Sequence, residues 1–192
     1  MLRAFIALEI PGEIQEAIAH SLSQLQKDLP KPLIRWVASK NVHLTLKFLG
    51  DVPPANLESL AAALAEETRN HAAFSFSVGG LGAFPSPQKA RVIWVGLQAP
   101  PALIALAGSV DTIAARLGFI AEDRPFSPHL TIGRVSHNVS GNDFHHIRTV
   151  LDGSTIGILG TVQVDALIIF KSVLQSGGPV YSRLYTLPMK LS

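Results

Sequence analysis

The stretch "NVHLTLKFLG", residues 41–50, puts a histidine and a threonine side by side on one face of a strand. Val42, Leu44, Leu46 and Phe48 alternate, which predicts a strand whose apolar face takes those four side chains. His43, Thr45 and Lys47 then share the other face. Taken alone the pattern has a structural reading, since histidine is often half buried and threonine is a good strand former. A His-x-Thr triplet acquires chemical meaning only from its context.

The context is a second copy. "HLTI" at His129 repeats "HLTL" at His43, 86 residues further on. The same offset carries Thr45 to Thr131, Phe5 to Arg91, Phe76 to Val162, Val78 to Val164 and Phe84 to Phe170. Around each copy the predicted elements run strand, helix, His-x-Thr strand, helix, strand. "AFIALEI" is a strand, and "PGEIQEAIAHSLSQLQKDL" is an amphipathic helix opened by Pro11. "LIRWV" is a short strand, residues 54–69 are a second helix, and "FSFSVGGLGAF" is a strand bent near its glycines. "ARVIWVGLQ" is a strand, followed by a third helix over "PALIALAGSVDTIAARLG" with Gly118 as its C-terminal cap. After the second motif come a helix over "NDFHHIRTVLD" and two last strands, "TVQVDALIIFKSVL" and "VYSRLYTLPM". Identity between the halves is low, so the repeat is one of architecture. Two similar lobes related by a pseudo-twofold axis would bring equivalent strands face to face across a groove.

Composition limits the chemistry. The 192 residues are 47% hydrophobic and 16% charged, enough for one compact domain, 1–192, made of two closely packed lobes. No apolar run reaches the ~20 residues needed to span a bilayer, so no membrane association is expected. The opening "MLRAFIALEIPGEIQ" is interrupted by Glu9 and Pro11 and reads as a first strand, not a secretory signal. With no cysteine, thiol nucleophiles, disulfides and zinc–cysteine sites are excluded, and a cytoplasmic location is expected. The net charge of +2 permits an anionic partner, but no basic run resembles a nucleic-acid-binding tail.

Two imidazoles and two hydroxyls on one cleft suit phosphodiester chemistry. An ordinary imidazole has a pKa of about 6.5, so one histidine can accept a proton while the other donates one. Thr45 and Thr131 can donate hydrogen bonds to non-bridging phosphate oxygens. Gly133 interrupts the alternation; a bulge there would turn Arg134 toward the cleft, where its forked guanidinium could hold phosphate. Lys47 is a weaker phosphate ligand on the same open face. Arg35 and Arg124 flank the motifs and could line the groove, whereas Phe126 reads better as core packing and Trp36 sits beside Arg35. His145 and His146 are adjacent on a helix and make a poor chelating pair; His20, His71 and His137 read as surface residues.

With these motifs in hand, the sequence resembles the two-histidine (2H) phosphoesterase superfamily and, within it, the RNA 2′,3′-cyclic phosphodiesterases, also called the 2′-5′ RNA ligase family. "FIALEIP", "RWVASKNVHLTLKFLGDV", "RVIWVGL", "RPFSPHLTIGR" and the closing "GPVYSRLYTLP" carry the resemblance over almost the whole chain. The resemblance implies a bilobal α+β fold, with two antiparallel sheets lining a central cleft and helices outside, and no required metal or organic cofactor. It implies an RNA substrate ending in a 2′,3′-cyclic phosphate, opened to a 2′-phosphate, with His43 as general acid and His129 as general base. Thr45, Thr131 and Arg134 would hold the phosphate, and the chain would act as a monomer. Two alternatives use the same residues. One is ATP-independent joining of the cyclic end to a 5′-hydroxyl RNA acceptor; the other is a non-catalytic protein that binds such ends.

Overall fold

The computed structural model describes residues 1–190. Strand β1 (Leu2–Glu9) leads into helix α1 (Gly12–Asp28), then β2 (Ile34–Trp36) and the first motif strand, β3 (His43–Val52). Helix α2 (Pro54–Thr68), β4 (Phe74–Phe84), β5 (Val92–Gln98) and α3 (Pro101–Arg116) follow. The second motif leads into β6 (Leu130–Val135), and the chain continues through α4 (Gly141–Asp152), β7 (Ile158–Val164), β8 (Ala166–Gln175) and β9 (Gly178–Pro188).

The helices form where apolar residues recur at helical spacing. Ile14, Ile18, Leu22 and Leu25 make the buried stripe of α1, and Leu103, Leu106, Ala107, Val110 and Ala114 make that of α3. Gly118, at φ +87°, takes the left-handed conformation expected just past α3. Helix α4 is opened by a capping box: Ser140 Oγ accepts from the Asp143 amide, and the Asp143 carboxylate accepts from the Ser140 amide.

All named strand pairs are antiparallel and form two sheets. One has the order β3-β1-β8-β9, the other β2-β6-β5-β4-β7. The predicted two-lobed α+β architecture is therefore present, with an exchange built into it. Strand β4, from the first half of the sequence, lies in the sheet that carries the second motif. Strands β8 and β9, from the second half, lie with the first motif. The runs β3-β1-β8 and β6-β5-β4 are equivalent under the pseudo-twofold relation. The segment "TVQVDALIIFKSVL" is not one strand as expected. It breaks at Asp165, where the chain leaves the five-stranded sheet as β7 and enters the four-stranded sheet as β8.

One continuous apolar core runs from Ile6, Leu8 and Leu44 on the first sheet to Ile93, Val95 and Leu130 on the second. A second, small cluster of Phe5, Ala7, Ile168 and Phe170, joined by Tyr181, covers the opposite face of the four-stranded sheet.

Lys47 departs from the alternation that places it beside Thr45. In the β1–β3 ladder Ala7 pairs with Thr45 and Ile6 with Lys47, so Leu46 is an extra residue and the strand bulges there. Beyond the bulge the faces exchange: Lys47 is 2% exposed and Phe48 is 65% exposed. The Lys47 ammonium donates to Asp111 Oδ1 at 2.5 Å and to the Ile120 carbonyl at 2.7 Å, with Glu122 Oε1 at 3.8 Å. It therefore ties the β3 strand to α3 and to the loop that leads toward His129, and it is not a phosphate ligand. Removing one partner of a buried ion pair leaves the other desolvated without compensation. Asp111 keeps partial access to water, so Lys47→Met should cost about 2–3 kcal/mol in urea unfolding, below the full buried-pair penalty. A cost under about 0.5 kcal/mol, the size of an ordinary surface change, would show that the pair does not support the fold.

Candidate active site

The two motif strands meet. Cα atoms of β3 and β6 approach within 8 Å although the strands belong to different sheets. Each motif histidine is held in the same way. His43 Nδ1 lies 2.7 Å from the Asn41 carbonyl, and His129 Nδ1 lies 2.8 Å from the Ser127 carbonyl. A carbonyl only accepts, so Nδ1 carries the proton and donates in both rings. The neutral tautomer thereby leaves Nε2 as a free base, and the charged ring offers Nε2–H as an acid.

The surroundings of the two rings differ. His43 stands opposite Glu9 in the β1–β3 ladder and stacks on Phe5, with ring centroids 4.7 Å apart. Tyr181 meets it edge to face at 5.2 Å, and Phe170 lies beyond at 6.4 Å. This aromatic enclosure removes water, and burial lowers the His43 pKa below 6.5; the bond to the Asn41 carbonyl opposes that shift. His129 has a more open setting, with Phe84 edge to face at 4.9 Å. Phe84 itself leans on Trp94 at 5.3 Å. Trp94 lies over Gly82, where an added Cβ would come within 2.2 Å of the indole, so that glycine makes room for the ring. The 86-residue offset pairs Phe84 with Phe170, and each is a phenylalanine near its own lobe's histidine.

Cross-strand pairing places the remaining groups. Thr45 shares the His43 face of its sheet, opposite Ala7, and Thr131 stands opposite Trp94. In the β5–β6 ladder Trp94 pairs with Thr131 and Ile93 with Gly133, so the extra residue is Ile132. The expected bulge therefore exists, one residue earlier than Gly133. Gly133 is instead a point of close packing. Ile34 and Trp36 occupy the space its side chain would need, with an added Cβ 2.9 Å from Ile34. Because of the bulge Thr131 and Arg134 lie on the same face.

Arg134 is exposed, and the positive charges of Arg134 and Arg3 act on the Tyr181 phenol. They oppose the rise that burial imposes on its pKa, and the net shift is upward, so Tyr181 remains a protonated hydroxyl. Arg35 pairs with Arg134 across β2 and β6 and so points from the same face. Among the described residues neither arginine is paired with a carboxylate. Two adjacent guanidiniums without acidic partners favour an anion between them.

Of the other flanking residues, Trp36 and Phe126 pack into the fold. Trp36 donates its indole N–H to the Leu29 carbonyl at 3.0 Å, and Phe126 packs against the main core. Arg124 is an exposed loop residue. His71 pairs with Glu67, and His146 Nε2 lies 2.9 Å from the Asp28 carbonyl, on another part of the surface. Among the described residues no group of three His, Asp or Glu side chains is arranged to hold a metal ion. The contribution of Phe5, Tyr181 and Trp94 to the site was not read from the sequence; the one available signal was the Phe84–Phe170 pairing under the 86-residue offset.

Two pseudo-symmetric lobes presenting paired His-x-Thr strands define the class of two-histidine phosphoesterases. A model of the family described as LigT-like phosphoesterases matches residues 8–94. The RNA 2′,3′-cyclic phosphodiesterase of Methanothermobacter thermautotrophicus is 30% identical over 183 residues, 94% of this chain and 95% of that protein. The protein of the same name from Thermotoga maritima is 32% identical over 96% of this chain and 94% of its own length. Escherichia coli LigT complexed with 3′-AMP superposes with a TM-score of 0.76 at 30% identity, covering 98% of both chains. TT0787 of Thermus thermophilus superposes with a TM-score of 0.78 at 25% identity over both full chains. The chain belongs to the LigT-like phosphoesterase family.

The enclosure of His43 has a measurable consequence. Its folded-state pKa is depressed, so between that value and 6.5 the unfolded chain binds a proton that the folded chain does not. The His43 contribution to stability is therefore full above 6.5 and falls away as pH drops through that window. An NMR titration should place the His43 midpoint below 6.5, and Tyr181→Ala should move it back upward by admitting water. A midpoint that ignores Tyr181→Ala would remove the aromatic wall as the cause.

Proposed function

We propose that this chain hydrolyses RNA ends bearing a 2′,3′-cyclic phosphate to 2′-phosphates, acting as one two-lobed unit without a metal. The observation that supports this reading most is the repeated imidazole arrangement. Two histidines at the starts of neighbouring strands each have Nδ1 committed and Nε2 free. In-line displacement at phosphorus needs the attacking and leaving oxygens on opposite sides. One Nε2 serves each oxygen. His129 removes a proton from water as the water oxygen bonds to phosphorus. The P–O3′ bond breaks, and His43 gives its proton to O3′. Thr45, Thr131 and Arg134 hold the non-bridging oxygens, where negative charge builds up.

The role given to His43 requires it to be charged when substrate is bound, although burial favours its neutral form in the free protein. The anionic phosphodiester supplies the remedy, since a negative charge within contact distance stabilises the imidazolium. Substrate thus recharges its own acid. Joining the cyclic end to a 5′-hydroxyl uses the same two proton transfers, with an RNA hydroxyl in place of water, and is scored by the same product analysis.

The test is a short RNA ending in 2′,3′-cyclic phosphate, incubated with the protein in chelator, with and without a 5′-hydroxyl RNA. A 2′-phosphate product is expected in both. A 2′-5′-linked product would identify ligation, a 3′-phosphate would mean that O2′ leaves, and loss of turnover in chelator would require a metal. His43→Ala and His129→Ala should each lower turnover by about 10²- to 10⁴-fold, the usual value of a positioned acid or base. A 3′-thio leaving group needs little protonation and should rescue His43→Ala alone; rescue of His129→Ala would exchange the two roles.

A further inference from the structure

The five-stranded sheet carries a strand with no counterpart in the other sheet. The runs β3-β1-β8 and β6-β5-β4 match, yet β2 lies on the outer side of β6, whereas β3 is an edge strand. Strand β2 has three residues, and the chain is pinned at both of its ends. The Val37 N–H donates to the Ile132 carbonyl at 2.8 Å, and the Ser136 N–H donates to the Leu33 carbonyl at 2.9 Å. Ile34 is fully buried and, with Trp36, fills the space over Gly133. Alternation then sends Arg35 to the opposite, open face. There it stands directly across from Arg134, and both are exposed. Like charges in directly opposed positions on neighbouring strands destabilise a sheet. With no carboxylate paired to either arginine among the described residues, this pair calls for negative charge from outside the protein.

We infer that Arg35 is a second phosphate site, which binds the phosphodiester on the 5′ side of the terminal nucleotide and so favours RNA ends over lone cyclic nucleotides. The inference rests on the proposed reaction, which puts the cyclic phosphate at Arg134. That phosphate carries one negative charge, and Arg134 matches it. Its non-bridging oxygens also receive Thr45 and Thr131, and its two in-line sides stay open to water and to O3′. A second guanidinium would find no unmatched charge there. The next charge along an RNA chain is the phosphodiester one ribose away. Directly opposed strand residues have Cβ atoms roughly 5 Å apart, so two arginines can diverge from that spacing to hold consecutive phosphates. Other cations near the motifs are already engaged: Arg183 pairs with Glu9, and Lys47 is buried against Asp111. A phosphate contact carries no sequence information, so the site serves any base.

Two dinucleotides ending in a 2′,3′-cyclic phosphate test this, one with a natural phosphodiester link and one with a neutral methylphosphonate link. The upstream sugar is deoxyribose in both, so that no 2′-hydroxyl attacks the link. The wild-type protein should show kcat/KM about fivefold higher for the charged link, the upper range for one exposed charge pair. Arg35→Ala should abolish that difference, and Arg35→Lys, which keeps the charge without the fork, should retain part of it. Raising salt should weaken turnover of the charged dinucleotide less steeply in Arg35→Ala, by about 0.7 in the log–log slope for one phosphate contact on a single strand. Each ratio is taken within one variant, so a change in the folded fraction cancels. Equal kcat/KM for the two links in the wild type would overturn the inference, as would a difference that survives Arg35→Ala. A loss of the same factor on both links in Arg35→Ala would also overturn it, because it would place Arg35 on the reacting phosphate. If neither dinucleotide is hydrolysed, the proposed reaction fails, and calorimetry of the two 2′-phosphate-ended dinucleotides with the wild type and Arg35→Ala still decides the second site.

Discussion

An imidazole can present Nε2 to a phosphodiester in a defined protonation state only when its other nitrogen is committed. Both motifs meet this constraint with the same local bond. Nδ1 of each histidine donates to the carbonyl two residues earlier, at 2.7 Å for His43 and 2.8 Å for His129. The partner is a backbone carbonyl in both lobes, just ahead of the motif strand, so the tautomer is set by the chain entering the strand and needs no third side chain. That bond is useful only if the strand is fixed, and much of the remaining structure fixes it. The bulges at Leu46 and Ile132 lie just past Thr45 and Thr131. They let each motif present its His and Thr to the cleft while the rest of the strand changes face.

The exchange of strands between halves gives the two motifs a common frame. Because β4 serves the second sheet and β8 and β9 the first, neither sheet can form from one half of the chain alone. The continuous core that joins the sheets then opposes their separation, since opening them would expose apolar surface. Lys47 adds a polar tie between the His43 strand and the loop before His129. The symmetry is broken around the two histidines. Phe5, Phe170 and Tyr181 enclose His43 on one side, while among the described residues Phe84 alone is edge-on to His129.

Period-two alternation and an 86-residue offset were enough to read the α+β fold and to set the two His-x-Thr segments in equivalent places, because these signals depend only on which way successive side chains point. They fail where a strand gains a residue. Lys47 reads as a cleft residue until Leu46 is recognised as extra, and no residue type announces that bulge. Gly133 looks like the irregular position in the second motif, yet the extra residue is Ile132, and the glycine makes room for Ile34 and Trp36. The run through Asp165 looks like one strand because strand-forming apolar residues continue on both sides of it; only the separation of two sheets divides it. The enclosure of His43 was the least visible feature, since Phe5, Phe170 and Tyr181 come from distant segments that meet only after folding.

The central claim is that two imidazoles on different lobes act as one acid–base unit on a single phosphate. A double-mutant cycle measures this most directly, with turnover of cyclic-phosphate RNA followed for His43→Ala, His129→Ala and the double variant. Groups that work as a unit are strongly non-additive, so the double variant should lose little more than the worse single variant. A double loss equal to the product of the two single losses would contradict the account, because it would mean that the histidines contribute independently.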